Sequence, residues 1–310
     1  MTEFFSGNKG EWSEPYALFK LLADGQLYLG DGELNQLGIV MPILSILRQE
    51  KNYTGSYIVD EERKNIIINC GNEPLMLPVS LFKEKAELLL SEIKDASGNR
   101  AFAIPSIEAF LKQLGFTHLS ANSLSKSDIH IVIHDLRTGI KPTLGFSIKS
   151  QLGSPATLLN ASRATNFIFQ INNLKDKQIE SINSLSGIKE KIKGINLQGG
   201  ELKFVRAENY RFSNNLTLID SKLPDIFAEM ILFYYSSKIN KICDITEYIA
   251  QLNPLNYNLS SNHTYYEYKI KHLLFDVALG MRPDDVWLGK YDATGGYLVV
   301  KEDGELLCYH

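Results

Sequence analysis

Two short runs near the middle of the chain constrain it most. Asp128-Ile129-His130-Ile131-Val132-Ile133-His134 alternates polar and apolar residues with the period of two that a half-buried strand requires. Thr143 to Ser150 gives a second strand, ending on Ser147-Ile148-Lys149, and the intervening Asp135-Leu136-Arg137-Thr138-Gly139 has the composition of a turn. In an antiparallel hairpin the start of one strand lies beside the end of the other. The spacing therefore predicts a carboxylate, Asp128, and an ammonium, Lys149, at one end of a small sheet. Such a pair suits metal-assisted hydrolysis of a phosphodiester. The carboxylate holds a hard divalent cation through oxygen, and the lysine steadies the attacking water or the charge that builds on phosphorus. A plain hairpin whose polar ends reach solvent gives the same pattern, so the rest of the chain has to decide.

With 310 residues, 44% of them hydrophobic, the chain can build one large domain or two modest ones. A net charge of -4 and a pI near 5.9 carry no global basic signature of nucleic-acid binding, yet a local basic groove is compatible with an acidic total. Cys70, Cys243 and Cys308 lie far apart and form no CxxC pair or Cys/His zinc spacing, which points to reduced thiols in a cytoplasm. The opening MTEFFSGNKGEW lacks the basic and apolar regions of a signal peptide, and no apolar run reaches transmembrane length. No membrane partner is expected.

Three regions are expected along the chain. Residues 1–100 read as an N-terminal α/β region. Ser13 would cap a helix through Leu22 with Pro15 in its first turn; Gly55–Asp60 and Asn65–Cys70 form a hairpin; Val79–Ala96 is amphipathic at helical period. Residues 101–200 read as the core: a helix over Pro105–Gly115, a strand over Phe116–Ala121, the hairpin, a helix over Pro155–Arg163 capped by Ser154, and a strand over Thr165–Ile171. Residues 201–310 read as a C-terminal α/β region packed on the core and contacting DNA. It has a strand over Leu202–Arg206, a strand pair near Tyr210–Ile219, helices from Pro224 and over Tyr265–Leu279, and a closing hairpin. That hairpin runs to the last residue, His310, which points to a natural chain that continues.

The order helix, three strands, helix, strand, with an acid on the second strand and x-x-Lys on the third, resembles the PD-(D/E)xK nuclease core. Ser127-Asp128 stands in place of Pro-Asp, and Ser147-Ile148-Lys149 in place of (Asp/Glu)-x-Lys. GNKGEWSEPYALFKLLADG, GFSIKSQLGSPATLLNASRATNF and GGYLVVKEDGELLCYH are similar to type II restriction endonucleases of the HpaII kind, over nearly the whole chain. The resemblance implies an α/β fold with a PD-(D/E)xK nuclease-like core, a mixed central sheet flanked by helices, with N- and C-terminal additions. It also implies a homodimer that cuts duplex DNA with Mg²⁺ at a short palindrome, CCGG in the family. It implies, too, a cognate DNA methyltransferase that acts on the same site without having to bind the enzyme. Asp128 and Lys149 become catalytic candidates.

Ser147 replaces the usual second carboxylate, and a hydroxyl is a poor ligand for a hard dication. Glu108, on the first core helix, is the expected second metal ligand beside Asp128; Glu14 and the nearby Glu11 are rivals, and Asp135 sits at the wrong end of the hairpin. Gln151, two residues past Lys149 on the same strand face, is a candidate for holding the attacking water. His130 and His134 share the Asp128 face but are assigned no catalysis. Ser154, Asn160, Ser162, Arg163, Thr165 and Asn166 offer donors to phosphates and base edges. A DNA-binding protein that cannot cut, because of Ser147, is the alternative.

Overall fold

The computed structural model describes residues 5–71, 73–98, 100–120, 125–155, 157–159 and 162–310. Contacts group the chain into two compact units, 1–157 with 291–310 and 158–290, where the sequence suggested three consecutive regions.

In the first unit, strand β1 (Ser6–Gly7) leads into helix α1 (Lys9–Asp24), which is apolar around most of its circumference. Trp12, Tyr16, Ala17, Leu18, Phe19, Leu21 and Leu22 are all buried, as a helix hydrophobic all round must be. The Asn8 side chain accepts from the Glu11 N–H while Glu11 accepts from the Asn8 N–H, and Gly25, with φ 64°, ends the helix. Ser13, the cap expected from sequence, is buried in the second turn instead. The reciprocal Asn8–Glu11 box satisfies two backbone donors, which fixes the start five residues earlier.

Strands β2 (Gln26–Gly30), β3 (Gln36–Gln49), β4 (Thr54–Val59), β5 (Asn65–Asn69) and β6 (Leu75–Pro78) precede helix α2 (Val79–Asp95). Then come β7 (Phe102–Ala103), which pairs with β1, helix α3 (Pro105–Gln113), β8 (Ile129–Ile133) and β9 (Thr143–Ser150). Phe19 of α1, Phe82 of α2 and Phe110 of α3 meet edge to face, with ring centroids 5.2 to 6.3 Å apart.

In the second unit lie β10 (Phe167–Asn172), α4 (Asp176–Asn183), α5 (Ile188–Leu197), β11 (Glu201–Ala207), α6 (Tyr210–Ile219), α7 (Leu223–Ser236), α8 (Ile242–Leu252) and α9 (Tyr265–Leu279). The chain then returns to the first unit with β12 (Gly296–Val300) and β13 (Leu306–Tyr309).

The central sheet runs β2-β13-β12-β9-β8-β3-β4-β5-β6, and β2 also pairs with β3. The long β3 makes this possible: its first half pairs with β2 (Leu27 opposite Met41), its second half with β4 and β8 (Ile46 opposite Tyr57 and Ile131). Six strands thus close a ring of pairings. Within it β9 is flanked by antiparallel β8 and parallel β12, and its residues Gly145 to Ile148 are buried. The fold is mixed α/β with a central sheet and helices.

Several expected elements differ. No strand forms over the described residues 116–120. The strand expected over 165–171 does not join the central sheet: β10 pairs with β11 alone, through Phe167 and Phe169 against Phe204, and β12 takes the place beside β9. No helix forms over the described part of 155–163; a 3-10 turn, Arg163–Thr165, is capped by Ser162. Tyr210–Ile219 is helix α6 rather than two strands. Its β-favouring residues are overridden because Phe212 and Leu216, four apart, are both buried with Ile226 and Leu273.

At the end of β3, Arg48 and Glu50 are each 1% exposed and form an ion pair. Arg48 also donates to the His118 and Leu119 carbonyls at 2.9 and 2.7 Å and stacks 4.1 Å from the Phe116 ring centroid; Glu50 accepts from the Thr117 N–H at 2.8 Å. The pair satisfies the irregular 116–119 backbone. Removing one partner leaves a buried charge unmatched, at a cost of about 3–5 kcal/mol. Trp12 lies in the first unit and Trp287 in the second. In a Trp287→Phe background, Glu50→Gln should therefore lower the urea stability reported by Trp12 fluorescence by about that amount. An unchanged midpoint would show that the pair holds nothing.

Candidate active site

Asp128 precedes β8, where its N–H donates to the Phe146 carbonyl at 2.8 Å and continues the β8–β9 ladder beyond the Ile129–Phe146 pair. Its carboxylate then turns onto β9: Oδ2 accepts from the Ile148 N–H at 2.6 Å and from Ser147 Oγ at 3.3 Å. Burial raises the Asp128 pKa. The Ile148 N–H, the Lys149 charge, the Ser147 hydroxyl and Lys126 oppose that shift.

Strand alternation puts Ser147 and Lys149 on one face of β9. Parallel pairing sets Tyr297 of β12 beside Ser147 and Val299 beside Lys149. The Lys149 ammonium lies 5.5 Å from the Tyr297 ring centroid. Burial and the Asp128 charge push the Tyr297 phenol up to about 12, so it stays protonated.

Two further elements pack against β9. A Cβ on Gly145 would lie 2.2 Å from the Asp292 carbonyl, so only glycine lets the returning chain cross β9 there. Gly295 donates to the Gly145 carbonyl at 2.7 Å, and Asp292 Oδ2 accepts from the Lys126 N–H at 3.2 Å. From the other side, the hydroxyls of Ser13 in α1 and Ser150 in β9 hydrogen-bond at 2.7 Å. Glu14, next to Ser13, is half-buried, and both Glu14 and Asp128 lie within electrostatic reach of the Arg48 guanidinium.

The other candidates make these contacts. Glu108 accepts from the Phe5 N–H at 3.1 Å and lies 3.5 Å from Lys112 Nζ; neither partner belongs to the Asp128 group. Glu11 is engaged in capping α1. Asp135 holds the far turn of the hairpin through the Arg137 N–H and the Thr138 hydroxyl. Gln151, just past β9, is exposed and its N–H donates to Val300. His130 Nε2 and Ser127 Oγ are 3.4 Å apart.

Ser154 is exposed in the first unit; Ser162, Arg163, Thr165 and Asn166 are in the second. Ser162 and Thr165 shape the 3-10 turn, Asn166 donates to Glu208 at 2.8 Å, and Arg163 is exposed. Asn160 lies outside the described residues. Arg48 and Tyr297 had no place among the sequence candidates. A lone Arg in Ile-Leu-Arg-Gln-Glu and a Tyr in Gly-Gly-Tyr-Leu-Val-Val carry no spacing that points to Asp128; only the strand order does.

The HpaII restriction endonuclease family model matches residues 8–310. The type II restriction enzyme HpaII of Haemophilus parainfluenzae is 79% identical over 310 residues, covering 100% of this chain and 87% of that protein. The chain belongs to the HpaII restriction endonuclease family. It is a type II site-specific deoxyribonuclease that binds double-stranded DNA. A stretch of 130 residues, 40% of the chain, is 32% identical to the meiotic nuclear division protein 1 homolog of Dictyostelium discoideum, over 59% of that protein. No solved structure matches the chain.

Type II restriction endonucleases generally work with a divalent metal. Among the described residues of this HpaII-family chain, no three His, Cys, Asp or Glu side chains cluster to enclose a metal. A small hard dication does not require that: it keeps several waters and takes one or two carboxylates plus substrate phosphate oxygens. Among the described residues both hydrogen bonds to Asp128 fall on Oδ2, which leaves Oδ1 for a cation. Glu14, half-buried in α1, is a further carboxylate that acts on the same Arg48 guanidinium as Asp128.

The raised Asp128 pKa has a consequence for the metal-free enzyme. Its folded value lies above the unfolded one of about 3.9, so folding favours the protonated carboxyl. The contribution to stability is fully present below the unfolded pKa and is lost as pH rises through the folded one. Asp128→Asn should therefore raise the melting temperature of chelator-treated protein at neutral pH, and the gain should vanish in acid, near the unfolded pKa. Scanning calorimetry at the two pH values checks this; an equal or lower neutral melting temperature would contradict it.

Proposed function

We propose that this restriction enzyme makes Mg²⁺-dependent double-strand cuts at CCGG, as a homodimer whose two-fold axis matches the palindrome. The target is that of the HpaII family, and the 79% identity over the whole chain supports carrying it over. One observation carries the site: a desolvated carboxylate, Asp128, is pinned by the Ile148 N–H, one residue before a lysine that shares the face of Ser147. This is the arrangement that a PD-(D/E)xK core needs, with Ser-Asp for Pro-Asp and Ser-x-Lys for the usual acid-x-Lys. The reduced thiols Cys70, Cys243 and Cys308 suit a cytoplasmic enzyme.

Asp128 and Glu14 supply the carboxylates that hold the cation. Glu14 is preferred to Glu108 because α1 touches β9 through Ser13 and Ser150, and because Glu14 shares the Arg48 field with Asp128. When bound, Mg²⁺ supplies Lewis acidity at the scissile phosphate and lowers the pKa of water. Lys149 places its positive charge against the phosphate as water adds and the ester oxygen departs. Gln151 orients the water. Ser147, donating to Asp128 Oδ2, keeps the carboxylate turned toward the site, so its hydroxyl serves without being a ligand. Arg163, Ser154, Asn160, Ser162, Thr165 and Asn166 contact the duplex. Of these, the exposed Arg163 suits a guanine edge or a phosphate best.

Single-turnover cutting of a plasmid carrying CCGG tests the assignment, with a mobility shift in Ca²⁺ to report binding. Asp128→Asn, Lys149→Ala and Glu14→Gln should each slow cutting by about 10²-fold or more and leave the Ca²⁺ shift in place. Glu108→Gln should stay within about 3-fold of the parent, as expected of an acid outside the site. The reverse ranking of the two glutamates would assign the second carboxylate to α3, and a fully active Lys149→Ala would remove the site from this face.

A further inference from the structure

A flexible ammonium on a four-carbon stem is a poor electrostatic catalyst unless something fixes it, because three rotatable donors and a long chain spread its charge over many positions. On this face the neighbour suited to that task comes from the other edge of β9. Tyr297 pairs with Ser147 across the parallel β9–β12 ladder, is half-buried, and presents its ring to the Lys149 ammonium at 5.5 Å, inside the range of about 6 Å over which a cation is attracted to an aromatic face. Val299, beside Lys149 itself, offers only an apolar wall. The same phenol lies in the field of the Asp128 carboxylate, so the aromatic ring belongs to the group formed by the acid and the lysine.

We propose that Tyr297 is a positioning residue for cleavage: the π-face of its ring holds the Lys149 ammonium at the place where charge builds on the scissile phosphate. The inference rests on the reading of Lys149 as the catalytic lysine. The ring does the work, and the hydroxyl is not required. A residue that merely filled space between β9 and β12 would be replaced equally well by an aliphatic side chain. A residue that positions a cation is replaced only by another aromatic one.

Single-turnover cutting in Mg²⁺ and DNA affinity in Ca²⁺ are measured for Tyr297→Phe, Tyr297→Trp, Tyr297→Leu and Tyr297→Met, each checked by melting curve. The two aromatic variants should cut within about 3-fold of the parent, and the two aliphatic ones should be slower by about 10- to 30-fold with affinity unchanged. Methionine keeps the comparison usable if leucine disturbs the fold, since its flexible chain fills the same gap. Aliphatic variants that cut at the parental rate would overturn the inference, as would a Tyr297→Phe as slow as Tyr297→Leu, which would move the role to the hydroxyl. Lys149→Ala separates the two levels. If it is inactive while Tyr297→Leu is fully active, only the positioning role falls; if it cuts normally, the active-site reading falls and takes this inference with it.

Discussion

The hydrogen bond from the Ile148 N–H to Asp128 Oδ2 is the contact on which the site depends. It is short, 2.6 Å, and it joins the residue just before one strand to the end of the neighbouring one. Without it Asp128 would be a carboxylate at a strand start, free to swing into solvent. With it, the acid is held one residue from Lys149 and beside Ser147, inside enough protein to be partly desolvated. The ring of strands behind it serves this one contact. β8 and β3 fix the acid's strand, β12 and the crossing at Gly145 fix the lysine's, and the buried α1 supports both from within. Electrostatic catalysis requires donors and charges that do not reorganise during reaction, and a strand buried on both edges supplies them.

The hairpin was legible in sequence because alternation with period two and a short turn are local signals, and Asp128 and Lys149 sit where that reading predicts. The partner on the other edge of β9 was not. β12 follows β9 by more than a hundred residues, and nothing in Gly-Gly-Tyr-Leu-Val-Val says that it will pair parallel to Ser147-Ile148-Lys149. The strand nearest in sequence, β10, looked as suitable and went to another sheet, because Phe167, Phe212 and Phe227 bury one another. Tyr210–Ile219 failed for a similar reason: residues that favour strands became a helix once Phe212 and Leu216 had a common core. The helix start at Asn8 could have been read from Asn8-x-x-Glu11, a capping pattern that Ser13-Glu14-Pro15 obscured.

The same contrast governs the second carboxylate. From sequence, Glu108 stood about twenty residues before Asp128 on a short helix and looked well placed; Glu14 lay far away. Folding brings α1 against β9, because its apolar circumference is drawn into the core. Ser147 fits this arrangement. The residue is only 2% exposed and its hydroxyl hydrogen-bonds the acid, where a carboxylate at the same place would set two like charges side by side in a desolvated setting.

The order of elements has a temporal meaning. β9 carries the lysine, but the strand that lies beside it emerges only after the whole second unit has been made. A chain still on the ribosome can form the Asp128 hairpin and the helices around it, yet it lacks β12 and with it the parallel edge of β9. Pairings of such long sequence separation also close late and slowly in refolding. The edge of β9 next to Lys149 is thus completed only by residues near the end of the chain.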